Sequence, residues 1–232
     1  MIVKHGGNIK TEIKKIVAVG DCNTLGIKEM RGNCFPERLG EMLGADVLNL
    51  GHTMATTREG FNILQDNLGD VDCLLIQYGL ADCYRTFTYA PYVLYYPDNL
   101  LRKISRRLVK KYKKLCRKNG LNNRLGETNT VPPYEFETNL RKMIALSSAK
   151  DIVIVDILPN KRLRLNEDVI AYNAIIGRVC ADFDHCKKVD LYDDFINNFD
   201  SYYMDETHSN AEGHDRIAQR ILEELQAPSS DL

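Results

Sequence analysis

A chain of 232 residues with 44% hydrophobic side chains is long enough to bury one sizeable core. Its 31 basic and 32 acidic residues leave a formal charge of −1, which excludes nucleic-acid binding driven by overall charge. Seven scattered cysteines without CxxC pairs exclude a disulfide framework and a zinc site, and no run approaches signal-peptide or bilayer length, so reduced thiols in a cytoplasmic protein are expected.

The first element is KKIVAVG, residues 14–20, too brief for a helix and too evenly apolar for a half-exposed strand, hence a buried parallel strand. It runs into Asp21 and Cys22 at a turn, followed by a helical pattern over 33–44. ADVLNLG (45–51) predicts a second strand, 56–69 a helix, and DCLLIQYG (72–79) a third strand. An excursion over 84–133, rich in Tyr, then Lys and Arg, then Asn, Gly and Pro, carries a helix at 99–118. Beyond it come a helix at 134–149, the strand DIVIVDI (151–157), a helix at 167–184, the strand KKVDLY (187–192) and a helix at 210–226. Strand and helix alternate throughout, which predicts a single doubly wound α/β domain over 1–232 with its site at the carboxyl ends of the strands.

Ser209 and Glu212 have capping-box spacing, so the last helix is expected to start there and leave Asp205 and His208 in the loop before it. An acid and an imidazole three positions apart in a loop suit a relay, in which the carboxylate holds one ring nitrogen while the other faces a nucleophile. Cys22 is the candidate nucleophile.

Four blocks, Gly20-Asp21-Cys22, Asn49-Leu50-Gly51, Gly79-Leu80-Ala81-Asp82 and Asp205-Glu206-Thr207-His208, resemble in order the four motif blocks of the SGNH (GDSL) hydrolases. The resemblance implies a three-layer α/β/α fold with a flavodoxin-like parallel five-stranded sheet. It also implies a Cys22, His208 and Asp205 triad, with Asp21, Asn49, Gly51, Gly79, Ala81 and Asp82 around the oxyanion and substrate. In two places the chain departs from the family pattern: Cys22 stands where the family has Ser, and Ala81 where it has an Asn that binds the oxyanion. Loss of one such donor costs on the order of 10²–10³ in rate, about 2.7–4 kcal/mol, leaving the N–H groups of Cys22 and Gly51 for the task. A helix N-terminus and a protonated His208 are expected to lower the Cys22 pKa toward a standing thiolate. Asp21 and Asp82 are expected to satisfy turn amides.

His52, His185 and His214 lack partners at metal spacing and are assigned to loops or solvent. No metal and no cofactor are expected, and neither GxGxxG nor GxxxxGK[ST] occurs to signal a nucleotide site.

The excursion is the electrostatic anomaly. No acid lies between Asp98 and Glu127, while eleven basic residues do, leaving the remainder of the chain at about −12. Within it Leu101, Ile104, Leu108, Tyr112 and Leu115 share one helical face. Such a helix over 101–118 suits an anionic membrane surface at the inner face, an acidic partner or a phosphate-bearing donor, or else packs its apolar stripe on the domain. GLADCYRTF with this basic stretch is also similar, more loosely, to SGNH proteins found with bacterial surface-polysaccharide biosynthesis enzymes, which implies a glycan substrate. The tyrosines of YRTFTYAPYVLYY then line a sugar site or simply pack beneath a loop. Acyl-ester hydrolysis is the reading that follows. Two alternatives stay open: an acyltransferase moving acetyl from a thioester such as coenzyme A to a sugar hydroxyl, and a catalytically decayed glycan- or partner-binding module.

Overall fold

The computed structural model describes residues 12–67, 69–161 and 163–227. It contains strands β1 (Lys15–Gly20), β2 (Asp46–Asn49), β3 (Cys73–Gln77), β4 (Arg85–Phe87), β5 (Glu127–Asn129), β6 (Asp151–Val155) and β7 (Cys186–Val189). Five of them form a fully parallel sheet in the order β2-β1-β3-β6-β7. The register sets Val17 beside Leu48 and Leu74, and Leu74 beside Ile152. Side chains alternate across a strand. Ile16, Ala18, Leu75, Val153 and Val155 therefore pack under the helices Phe35–Leu43 and Ala211–Gln226. Val17, Val19, Leu74, Ile76, Ile152 and Ile154 pack against Thr57–Asp66, Pro133–Leu146 and Asn166–Ala181 on the other side. Three layers result, as the resemblance implied. The apolar runs overshoot their strands by a few residues at the carboxyl end, and those extra residues, Leu50 to Gly51 and Tyr78 to Gly79 among them, turn into the loops that build the site.

The excursion adds an element the sequence did not announce: an antiparallel hairpin closes its base, β4 against β5 with Thr86 opposite Thr128, whose three-residue strands are too short to be read. Of the two placements left open for its long helix, Leu100–Lys118, the structure shows the one with the apolar stripe outward. Leu101, Leu108 and Leu115, at 77%, 63% and 58% exposure, face solvent instead of packing on the domain. The inward face is formed by Arg106, Val109, Lys113 and Cys116. Polar anchors explain the orientation: the Arg106 guanidinium donates to the Leu94 carbonyl at 2.9 Å, pairs with Asp98 and lies 4.8 Å from the centre of the Tyr95 ring.

Two smaller expectations are corrected as well. The last helix begins at Ala211, and Asn210 is its cap, accepting the Gly213 N–H at 3.0 Å; the buried Ser209 hydroxyl makes no hydrogen bond. His214 is buried, not solvent-facing, and its Nδ1 accepts the Phe35 N–H at 3.3 Å. Burial, then the neighbouring Arg38 charge, pushes its pKa down to about 3. All described cysteines are free thiols, with the Cys180 and Cys186 sulfurs 3.4 Å apart.

Candidate active site

β1 ends at Gly20, and the chain turns through Asp21 into the one-turn helix Cys22–Leu25. Asp21 caps that turn, accepting the Asn23 N–H at 2.9 Å, while its own N–H donates to the Gln77 carbonyl at the end of β3. Cys22 is thereby fixed at the carboxyl edge of the sheet and half-buried.

The loop before the last helix brings the imidazole to it. His208 Nε2 lies 3.2 Å from the Cys22 sulfur, and His208 Nδ1 lies 2.8 and 2.9 Å from the two Asp205 oxygens. Asp205 also accepts the N–H groups of Thr207 at 2.8 Å and His208 at 2.9 Å. Burial on its own raises this carboxyl, but those amides and the His208 ring outweigh it and hold the pKa down to about 2. A carboxylate on Nδ1 fixes the tautomer, so Nε2 is free to accept a proton from the thiol.

Nothing in the sequence singles out Asn23. Its side chain is buried and spans the loop around His208, donating to the Thr207 carbonyl at 3.1 Å and accepting the Ser209 N–H at 3.0 Å. One residue beside the sulfur thus clamps both flanks of the imidazole. Met54 was missed too. It adopts a left-handed backbone, with φ of 61°, and its N–H favours the ionised form of the Cys22 sulfur.

Burial first, then the charge of Asp21, pushes the Cys22 thiol well above its ordinary pKa, although the N–H groups of Cys22, Met54 and Asn23 pull the other way. This corrects the expected standing thiolate: the sulfur sits protonated because desolvation exceeds what the short helix and its amides supply. Burial likewise raises Asp21 to about 6.

The other motif residues surround this centre in different capacities. Asn49 donates to the Thr24 carbonyl at 2.7 Å and to Glu37 at 2.8 Å, and accepts the Gly51 N–H at 2.9 Å. That N–H, expected to serve an oxyanion, is occupied by Asn49 in this structure. Gly51 is needed for close approach: a Cβ there would lie 2.3 Å from the Leu25 amide nitrogen. Gly79 has φ of 136°, and a Cβ would strike Ile157. Asp82 is fully buried and accepts the N–H of Thr57 at 3.0 Å and its hydroxyl at 2.6 Å, holding the helix Thr57–Asp66; burial lifts its pKa to about 7.

Ala81 and Met54 line a cavity of about 360 Å³ whose far wall is the inward face of Leu100–Lys118. Tyr92 and Tyr95 contribute another wall. Their loop is tied down by the buried Glu59, which accepts the Tyr92 hydroxyl at 2.9 Å and the Tyr95 N–H at 2.8 Å. Among the described residues no cluster of His, Cys, Asp and Glu suits a metal ion, and no helix is long and apolar enough to cross a membrane.

No curated protein matches the sequence. Similar solved structures include the acetylxylan esterase Axe2 from Geobacillus stearothermophilus, with 16% identity over 94% of this chain and 98% of that one and a TM-score of 0.62. LAE5, an alpha/beta hydrolase from the metagenome of Lake Arreo, Spain, is 18% identical over 91% and 94% of the two chains, with a TM-score of 0.61. At these identities the likeness shows the fold. Three further Axe2 structures are described as catalytic mutants, at a serine, a histidine and an aspartate three positions before that histidine. The family model of the GDSL-like lipases and acylhydrolases matches residues 18–216. The chain belongs to this SGNH family and is, by that membership, an acyl-ester hydrolase.

Proposed function

We propose that the enzyme removes small acyl groups, acetyl foremost, from sugar hydroxyls, with Cys22 as nucleophile, His208 as general base and then acid, and Asp205 as the group that orients the imidazole. The observation that carries this reading is the unbroken contact series from Asp205 through His208 Nδ1 and Nε2 to the Cys22 sulfur, with no step longer than 3.2 Å. The aspartate-to-histidine spacing is the one found among the catalytic mutants of Axe2, a protein described as acting on acetylxylan, and this supports an acetylated glycan as substrate.

With the thiol protonated at rest, His208 Nε2 takes the Sγ proton as sulfur bonds to the ester carbonyl carbon. The carbonyl oxygen becomes an oxyanion facing the N–H groups of Cys22 and Met54, the donors grouped around the sulfur. Collapse breaks the C–O bond, and His208 returns its proton to the departing sugar oxygen. The thioester left on Cys22 is attacked by water, whose proton passes to His208 and then to the sulfur as the carboxylic acid departs. Ala81 offers no side-chain amide to the oxyanion, so turnover below that of an enzyme with Asn there, by on the order of 10²-fold, is expected.

Hydrolysis of p-nitrophenyl acetate tests the assignment. Cys22→Ala and His208→Ala should each lower kcat/KM by about 10³-fold or more with the melting temperature maintained. Equal turnover by all three proteins would overturn the triad.

A further inference from the structure

The cavity beside Cys22 holds more positive charge than its surroundings neutralise. Three cations near it are already engaged: Arg58 with Glu135, Arg85 with Asp168, and Arg106 with Asp98. Lys110, Lys113 and Arg117, which line the same cavity, have no carboxylate within 4 Å among the described residues. Two of them rest instead near tyrosine faces, Lys110 at 6.0 Å from the Tyr95 ring and Lys113 at 6.0 Å from the Tyr92 ring. Lys113 is half-buried, and burial followed by the like charges of Arg58 and Arg117 lowers its pKa. Cations gathered in a cleft without counter-charge repel one another, and an anion entering the cleft relieves that cost.

We propose that this cavity is a subsite for a phosphate or pyrophosphate group carried by the acyl substrate, so that the substrate is a phosphorylated or pyrophosphate-linked acylated sugar. The inference rests on the acyl-ester reading above and narrows it. Three unpaired cations exceed what one carboxylate needs, whereas a phosphate dianion or a pyrophosphate accepts from several donors at once. The position suits a substrate handle, since the cations share a cavity of about 360 Å³ with Met54, whose N–H acts on the Cys22 sulfur, and with Ala81 of the third motif block. The wall opposite is preorganised, because Glu59 fixes Tyr92 and Tyr95 before anything binds.

Two measurements on the full chain test it. In the first, the melting temperature is followed with added inorganic pyrophosphate, which should raise it for the wild type and leave it unchanged in Lys110→Gln/Lys113→Gln/Arg117→Gln. The exposed pair Lys110→Gln/Arg117→Gln, which disturbs no buried side chain, should lose most of the shift. In the second, kcat/KM for O-acetylated glucose 1-phosphate should exceed that for the O-acetylated methyl glucoside by about tenfold or more, and the triple variant should lose this preference while keeping p-nitrophenyl acetate hydrolysis. No pyrophosphate shift in the wild type together with equal rates on the two sugars would overturn the subsite. A pyrophosphate shift that the triple variant loses, in a protein that turns over no ester, would support the subsite while overturning the acyl-ester reading. Vesicles of phosphatidylcholine with phosphatidic acid separate the sources of the phosphate. Binding that pyrophosphate displaces assigns it to a lipid-linked substrate, and pyrophosphate binding without vesicle binding assigns it to a free one.

Discussion

Asn23 shows how much of this site depends on a group that takes no part in the chemistry. Its amide joins the residue after Cys22 to both neighbours of the His208 imidazole, tying the two segments of the proposed triad together. Asn23→Ala should cost about 1–3 kcal/mol for the two buried backbone groups left unpaired. It should also lower kcat by on the order of 10²-fold through misplacement of His208, with KM little changed. Kinetics beside thermal unfolding check this; a loss of stability with kcat intact would show that the loop is held elsewhere. Neither Asn23 nor Met54 was legible in the sequence. The partner of Asn23 lies 184 and 186 positions away, and the left-handed turn at Met54 is carried by a residue type that gives no hint of it. That Cys22, Asp205 and His208 come together was legible because their spacing and order resemble a known pattern of blocks. The state of the sulfur was not, since motif and helix position pointed to a thiolate while burial, visible only in three dimensions, raises the thiol.

Among the elements, the inner strands β1, β3 and β6 could be read from their apolar runs because a parallel strand covered on both faces is apolar along its length, while the edge strands β2 and β7 carry Asp46, Lys187 and Lys188 beside their apolar residues. The helix Leu100–Lys118 marks the limit of that reasoning. Its periodicity separates an apolar stripe from a basic face but does not say which of them meets the body, and Arg106 with its carbonyl, carboxylate and tyrosine partners decides in favour of the basic side. Leu108→Gln should therefore alter stability by no more than about 0.5 kcal/mol. Leu140→Ala, at a fully buried position in Pro133–Leu146, should cost about 2–5 kcal/mol. Denaturant unfolding of the two variants provides the comparison, and a loss of 2 kcal/mol or more in Leu108→Gln would return the stripe to the interior.

For the molecule as a whole, buried ionisable groups give stability a pH dependence of mixed sign. Folded Asp82 keeps its proton to about pH 7 against 3.8 as its ordinary value, so the folded state holds the extra proton in that window and stability falls as pH rises through it. His214 acts oppositely: its folded pKa of about 3 lies below the ordinary 6.5, so stability falls as pH drops through that range. Asp82→Asn keeps an acceptor for Thr57 and removes only the first effect. Its melting temperature should gain on the wild type as pH rises from 5 to 8, and a difference constant with pH would contradict the assignment.

The central claim is that acyl groups pass through the Cys22 sulfur. Its most direct test is mass spectrometry of the enzyme quenched in acid during p-nitrophenyl acetate turnover, followed by peptide mapping. An acetyl group on the peptide containing Cys22, removed by neutral hydroxylamine as a thioester is and missing from Cys22→Ala, is the predicted result. Turnover that continues in Cys22→Ala, with acetyl found elsewhere or on no peptide, would contradict it.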